Sequence, residues 1–542
     1  MEKEIGIFLC NCGGGIKNID FDAVREKLVQ ISDVAFVAVS SALCLEEGKG
    51  TIVSTIKDKG VEKVVIAACS PEFTEHTFGE VLEKAGLNRH LLAMANVREQ
   101  CAWAHQGDVT KKAIQLIKMA VNRARLLQPV QKKELPINKD VLVIGGGFSG
   151  LNIALQLSRL GLRATVLEKE AVLGARLGEA ESFSSCDMGP MISEVESDDN
   201  IEVLTSAQLV RIEGNVGNFS VRIQKAGEEI PRKYGAIVVA TGYRTQLMAS
   251  SEPDSGGKIL SQAELCRMLA AQSLEKQPRT VGFIFDFADE NSRFPTLATL
   301  DNALAAKEKW DSEVYVFCKS VKVDSKGAEK LYREARARGI VFLKCETPPK
   351  VLAKNGRVEI QAQDILMGED TVFACDVLVA EQQILPAEDA DILSSLLNVG
   401  RDSKGFYQDE NVHLYPVALE RKGIFVVGGC RGDLDGGRVL SDISSAVMSI
   451  YELLSPGKIV VDSEKVKANP QKCVACLTCF RVCPHSAIQL MRAENEKEVA
   501  QVADAACDAC GICAAICPAK AISFEGYTDE QIVAQIEALG TS

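Results

Sequence analysis

At 542 residues, with 46% hydrophobic and 25% charged residues, the chain has the make-up of a soluble globular protein of roughly three or four domains. A net charge of −13 without a basic stripe excludes nucleic acid as a partner. No run approaches the ~20 apolar residues of a membrane-spanning helix, and the acidic start MEKEIGIFLC does not read as a secretory signal. The expectation is a cytoplasmic protein. Its 19 cysteines, eight of them within the 45 residues from Cys473 to Cys517, then point to metal ligation rather than disulfides.

Residues 1–127 predict a small α/β unit, because the apolar runs IGIFLC, VAFVAVS, VEKVVIAACS and HLLAMANV alternate with helical patterns. Cys10 and Cys12 close the first strand, Cys44 follows the second, Cys69 ends the third and Cys101 follows the fourth. The carboxyl ends of strands in an open α/β sheet share one edge, where ligands bind. Five cysteines far apart in sequence are therefore expected to converge there. CNCGGG is not a phosphate loop, because no Gly-Lys-Ser/Thr follows.

Segments 138–274 and 391–455 predict one dinucleotide-binding domain. VLVIGGGFSG is a buried strand ending in Gly145-x-Gly147-x-x-Gly150, with Phe148 and Ser149 opening the helix that follows. The three glycines allow a tight turn, close approach to a pyrophosphate, and close packing of helix on strand. Glu168 ends the next strand 18 residues beyond Gly150, where an acid accepts ribose hydroxyls; Lys169 follows it, and Arg176 is placed to continue around the pyrophosphate. Ile201–Gly214 reads as a strand pair meeting the adenine edge. Thr241 and Gly242 end another buried strand, and Gly428 and Gly429 end a third, with Asp435 before the next helix. A return to the first fold after a long insertion suits FAD better than NAD.

The insertion, 275–390, predicts a second Rossmann-like half, but its first strand VGFIFDF runs into ADENSRF without a glycine. A degenerate half without a nicotinamide site is the expectation. Cys318, Cys345 and Cys375 stand singly at strand-like positions and read as core.

Near the other end, within 465–530, Cys473, Cys476, Cys479 and Cys483 follow the spacing C-x₂-C-x₂-C-x₃-C-P, and Cys507, Cys510, Cys513 and Cys517 repeat it. In such runs three thiolates hold one [4Fe–4S] cube and the fourth crosses to the other. One cluster is thus expected on Cys473, Cys476, Cys479 and Cys517, the second on Cys507, Cys510, Cys513 and Cys483. The five histidines (His76, His90, His105, His413, His485) form no triad or metal pair by spacing.

With these segments in view, the chain resembles the HdrA family, the iron–sulfur flavoproteins of heterodisulfide reductase, over nearly its full length. IGIFLCNCGG, AACSPEFTEHTF and GLNRHLLAMANVREQCAWAH carry the resemblance at the N-terminal end. It implies a thioredoxin-reductase-like two-domain flavoprotein fold, with a small α/β cluster domain before it and a 2[4Fe–4S] ferredoxin domain after it. It also implies that four of Cys10, Cys12, Cys44, Cys69 and Cys101 bind a [4Fe–4S] cluster, without saying which is spare. Three departures stand out: no ferredoxin-like insertion after Lys225, no cysteine in FIFDFADENSRFPTLATL, and only Cys186 where relatives have a pair. The implied complement is one FAD and three clusters, and these losses leave electron bifurcation open.

The function so implied is electron transfer, through FAD and [4Fe–4S] clusters, within a multi-subunit anaerobic oxidoreductase. The implied partners are heterodisulfide reductase B- and C-like subunits, hydrogenase-linked or ferredoxin-type carriers, with the substrate site on those partners and the whole a symmetric oligomer. Two other readings compete. One is a self-contained NAD(P)H- or ferredoxin-linked flavoprotein like the small subunit of glutamate synthase, which the missing glycines oppose. The other is a docking scaffold with a structural FAD.

Overall fold

A computed structural model describes residues 4–175, 188–248, 258–271, 277–288, 293–354, 356–366, 368–432, 434–462, 465–493 and 496–540. Two compact units emerge: 1–134 with 460–483 and 487–542, and 135–459 with 484–486. Among the described residues, no helix is long and apolar enough to cross a membrane.

The first unit is built on β1 (Ile5–Cys10), α1 (Phe21–Leu28), β2 (Val34–Ser40), α2 (Glu46–Lys59), β3 (Lys63–Ala68), α3 (Pro71–Lys84), β4 (Leu92–Asn96) and α4 (Thr110–Arg125). All four strands are parallel, in the order β2-β1-β3-β4. Helices cover both faces, so β1 is buried throughout. The two-residue period sends Ile5, Ile7 and Leu9 into one core, and Phe8 and Cys10 into the other. Asp20 caps α1 by accepting from Asp22 N and Ala23 N.

The same unit holds the cysteine-rich module. Val466–Ala468 pairs with Ile522–Phe524 and Ile488–Arg492 with Glu498–Val502, both antiparallel. The helix Asp529–Gly540 then lies along α4. Asn122 Nδ2 donates to Ala534 O at 3.0 Å, Arg123 Nε to Gly526 O at 2.9 Å, and Gln531 Nε2 to Leu126 O at 3.0 Å. The Arg123 guanidinium also sits 4.1 Å over the Tyr527 ring.

In the second unit, five parallel strands run in the order Ile424–Val426, Ala236–Val239, Val141–Ile144, Ala164–Leu167, Ile201–Leu204. Apolar cores lie on both faces of this sheet. The insertion has its own parallel sheet, ordered Lys258–Leu260, Val377–Val379, Thr280–Phe285, Glu313–Cys318, Val341–Lys344. Its sheet thus starts at Lys258, ahead of the boundary at 275 expected from alternation alone. Tyr243–Leu247 and Gln382–Pro386, an antiparallel pair, form the two connections into it. Cys318, Cys345 and Cys375 are buried within its cores, and burial pushes the Cys318 and Cys375 thiols up to about 12.

Candidate cofactor sites

The glycine turn after Val141–Ile144 is shaped by contacts that a side chain would destroy. Gly145 has φ +114°, and a Cβ there would meet Ala240 O at 2.3 Å. A Cβ at Gly150 would meet Gly145 O at 1.8 Å, which is the close packing of helix on strand that the third glycine permits. At Gly147 there is open space instead. This residue precedes the helix Phe148–Arg159, whose first residues line the cavity.

Glu168 braces this turn: its Oε2 accepts from Gly146 N at 2.7 Å and its Oε1 from Glu170 N at 2.9 Å. The cavity beside it is lined by Gly145, Gly147, Phe148, Ser149, Glu168 and Lys169. Ala207, Gln208 and Leu209 close the expected adenine edge, and Thr241, Gly242 and Gly429 bound it from the neighbouring strands. Buried Thr241 Oγ1 and Asp389 Oδ1 have no hydrogen-bond partner among the described residues. A cradle with glycines underneath and orphaned polar atoms on its wall fits a dinucleotide such as FAD.

Gly428 has φ +79° and packs on Ser149, where a Cβ would meet Oγ at 2.2 Å. Asp435 lies outside this lining: it caps the helix Gly436–Leu454 by accepting from Arg438 N at 3.0 Å, and accepts from Ser325 Oγ at 3.1 Å. Arg176 and Cys186 fall outside the described residues. Missing from the sequence reading was the helix Ala390–Leu397, which brings Ile392, Leu393 and Leu396 over the cavity, with Asp389 at its N-cap paired to Lys169 at 3.2 Å. No local motif marks that helix.

In the insertion, the turn after Thr280–Phe285 is closed by the chain's own acids. Glu381 Oε1 accepts from Phe287 N at 2.6 Å and from Ala288 N at 2.7 Å. Asp286, at φ +70°, accepts from Ser320 N, Ser320 Oγ and Lys322 Nζ. A dinucleotide-binding half would offer such amides to a pyrophosphate, and here a buried carboxylate has them. Burial pushes the Glu381 carboxyl up, against the amides that pull it down. Glu381→Ala should cost about 1–3 kcal/mol of stability in denaturant unfolding because both amides lose their acceptor. Glu381→Gln, which keeps an acceptor oxygen, should cost clearly less. Equal losses in the two variants would show that the amide bonds are not what holds this turn.

At the carboxyl edge of the N-terminal sheet, Cys10 stands level with Ser40, and Cys69 follows Ala68, which is level with Asn96. Burial pushes the Cys10 thiol up, and the nearby Cys12 and Cys44 add to it. Cys69 packs against the same apolar cluster as Cys10. Cys12 holds a left-handed φ of +55°, and Cys44 is exposed. Cys101 is placed differently. It is fully buried in the opposite core with Ala102, Val109, Ala113 and Ile117, its thiol 3.8 Å from Val109 O. His76 contacts Glu80 and His105 contacts Lys112, so neither is aimed at a thiol by these bonds.

In the C-terminal module the two cysteine runs are built alike. Thr478–Val482 and Ile512–Ile516 are equivalent short helices, preceded by left-handed Leu477 and Gly511. Ala475 and Ala509 are left-handed as well. Burial raises the Cys479 thiol, with the charges of Cys473, Cys476 and Cys517 adding to it. Burial and then Cys507, Cys483 and Cys510 push Cys513 up to about 11. The neighbours of each central cysteine are thus two from its own run and the last cysteine of the other, in the crossed pattern. Backbone amides already point at the sulfurs: Ala500 N to Cys473, Ala487 N to Cys483, Ala509 N to Cys507 and Ala521 N to Cys517, at 3.3–3.5 Å. Thiols grouped in fours under amide donors fit [4Fe–4S] clusters.

Comparison with known proteins agrees with this geometry. Residues 105–275 match the pyridine nucleotide-disulphide oxidoreductase family model, and 472–521 match the 4Fe-4S dicluster domain. Over 91% of its length the chain is 27% identical to the HdrA protein of the Ferredoxin/F(420)H(2)-dependent CoB-CoM heterodisulfide reductase of Methanosarcina acetivorans, covering 76% of that protein. It is 27% identical, over 91% of itself and 92% of the relative, to one of the HdrA iron–sulfur proteins of the CoB--CoM heterodisulfide reductase of Methanopyrus kandleri. The HdrA protein of the H(2):CoB-CoM heterodisulfide,ferredoxin reductase of Methanothermobacter marburgensis is 26% identical, with 92% of each chain covered. The chain is an HdrA-like protein. Like the HdrA proteins it resembles, it joins a flavoprotein-type domain to a dicluster domain, and it is an iron–sulfur flavoprotein of the oxidoreductase kind.

Proposed function

We propose that this HdrA-like chain carries electrons between FAD and three [4Fe–4S] clusters as one component of a cytoplasmic, anaerobic, multi-subunit oxidoreductase of the heterodisulfide-reductase type. The observation that carries the reading is the pair of like-built cysteine runs with backbone amides donating to Cys473, Cys483, Cys507 and Cys517, in a chain that also holds a cavity fit for a dinucleotide. When bound, the flavin exchanges electron pairs for single electrons, and the clusters pass one at a time. The chain's own residues bind and tune. Glu168 holds the phosphate turn in shape, and the amide donors on four sulfurs favour the more negative state of a cluster. The substrate belongs to partner subunits, of the B- and C-like or carrier kind.

For the N-terminal cluster we assign Cys10, Cys12, Cys44 and Cys69 as ligands and Cys101 as a core residue. Support comes from the full burial of Cys101, on the face opposite Cys10 and Cys69 and with its thiol turned to Val109 O, whereas Cys12, at the edge of that same core, is only partly buried. The test is iron, sulfide and FAD content after anaerobic purification, with one FAD and about 12 iron per chain expected from three four-iron clusters. Cys69→Ala should remove about four iron, and Cys101→Ala should remove none. About eight iron in the unaltered chain would sink the N-terminal assignment, and loss of iron from Cys101→Ala would move Cys101 into the ligand set.

A further inference from the structure

Arg98 opens a single five-residue π-turn, Arg98–Ala102, directly after β4. Such turns interrupt regular winding and often mark functional positions. Its Nη1 donates to Cys12 Sγ at 2.8 Å. The rest of the guanidinium is anchored: Nε and Nη2 donate to Glu99 Oε1 at 2.9 and 2.6 Å. Glu99 is itself held by its amide, which donates to Asn96 Oδ1 at 2.9 Å. The guanidinium also lies 4.5 Å from the Trp103 ring centroid, and the indole Nε1 donates to Gly15 O at 3.4 Å, tying the stack to the loop after Cys12. The side chain is only 21% exposed. A purely structural arginine would be satisfied by Glu99 and Trp103. Here the remaining fork is fixed on a sulfur.

We propose that Arg98 is a positioning residue that sets the reduction potential of the N-terminal [4Fe–4S] cluster through the Cys12 sulfur. This rests on the N-terminal assignment above. One-electron reduction adds a negative charge shared between the cluster and its thiolates, and no bond forms or breaks. A cation donating to one of those thiolates favours the reduced state more than the oxidised one, so it raises the potential. Partial burial keeps water from screening the effect. Lysine keeps the charge but lacks the planar fork that Glu99 and Trp103 aim.

The experiment is a dithionite titration of the full anaerobic chain followed by electron paramagnetic resonance, dithionite supplying the electron. In Arg98→Gln one of three cluster midpoints should move to lower potential, with the other two unmoved and iron still about 12 per chain. Arg98→Lys should fall between Arg98→Gln and the unaltered protein. If Arg98→Gln sheds its cluster, Arg98→Lys decides: a lowered midpoint in one signal supports the proposal. Full iron with all midpoints unchanged in Arg98→Lys and Arg98→Gln overturns it. About eight iron in the unaltered chain would instead overturn the cluster assignment on which it rests.

Discussion

Gly147→Val should give a folded, iron-loaded chain without FAD. Beyond its chain neighbours, a Cβ at this position meets no atom of the described residues within 4 Å, so the backbone has no reason to move. The volume it enters belongs to the cavity over the helix Phe148–Arg159, where a pyrophosphate must approach the backbone closely. Affinity for FAD should fall by at least about tenfold, or ~1.4 kcal/mol, while the unfolding midpoint stays near that of the unaltered apoprotein. Gly150→Val should behave otherwise. Its Cβ would press into Gly145 O, a backbone atom that cannot step aside, so the domain itself should be lost. Flavin absorbance, iron content and thermal unfolding of the two variants separate these outcomes. Retention of tight FAD binding by Gly147→Val would mean the cofactor approaches from elsewhere.

The second large effect concerns the crossed cysteines. Cys517→Ser should cost about four iron, and the lost cluster should be the one held by Cys473, although Cys517 follows the Cys507 run. Double substitutions reveal the sharing. Cys473→Ser with Cys517→Ser should lose no more iron than either alone, since both remove one cluster. Cys507→Ser with Cys517→Ser should lose about eight. The reverse pattern would show each run holding its own cube, and the grouping around Cys479 and Cys513 would then be misleading.

Much of this was legible from local signals. The glycines at 145, 147 and 150 need particular backbone conformations or clearances, so their spacing alone betrays the turn. The paired cysteine runs are as plain, because ligand geometry restricts spacing. What stayed hidden depends on distant partners. Asp389 meets Lys169 across 220 residues, and Glu381 meets Phe287 and Ala288 across more than 90, with ordinary sequence around each. The five N-terminal cysteines all end or follow strands, yet the π-turn after β4 carries Cys101 into the core. Extra winding within one turn is invisible to a periodicity argument. The same turn is what aims Arg98 at Cys12.

The helix Asp529–Gly540 on α4 has a consequence for how the protein is made. The bonds that join this segment to Asn122, Arg123 and Leu126 span 403–412 residues, so the first unit is finished by contacts of very high sequence separation. On a ribosome, β1 to β4 are synthesised first and can fold as they emerge. The groove along α4 then stays open through synthesis of the whole flavoprotein domain. Nascent chains stalled before residue 526 should therefore carry a more protease-sensitive α4 than released chains.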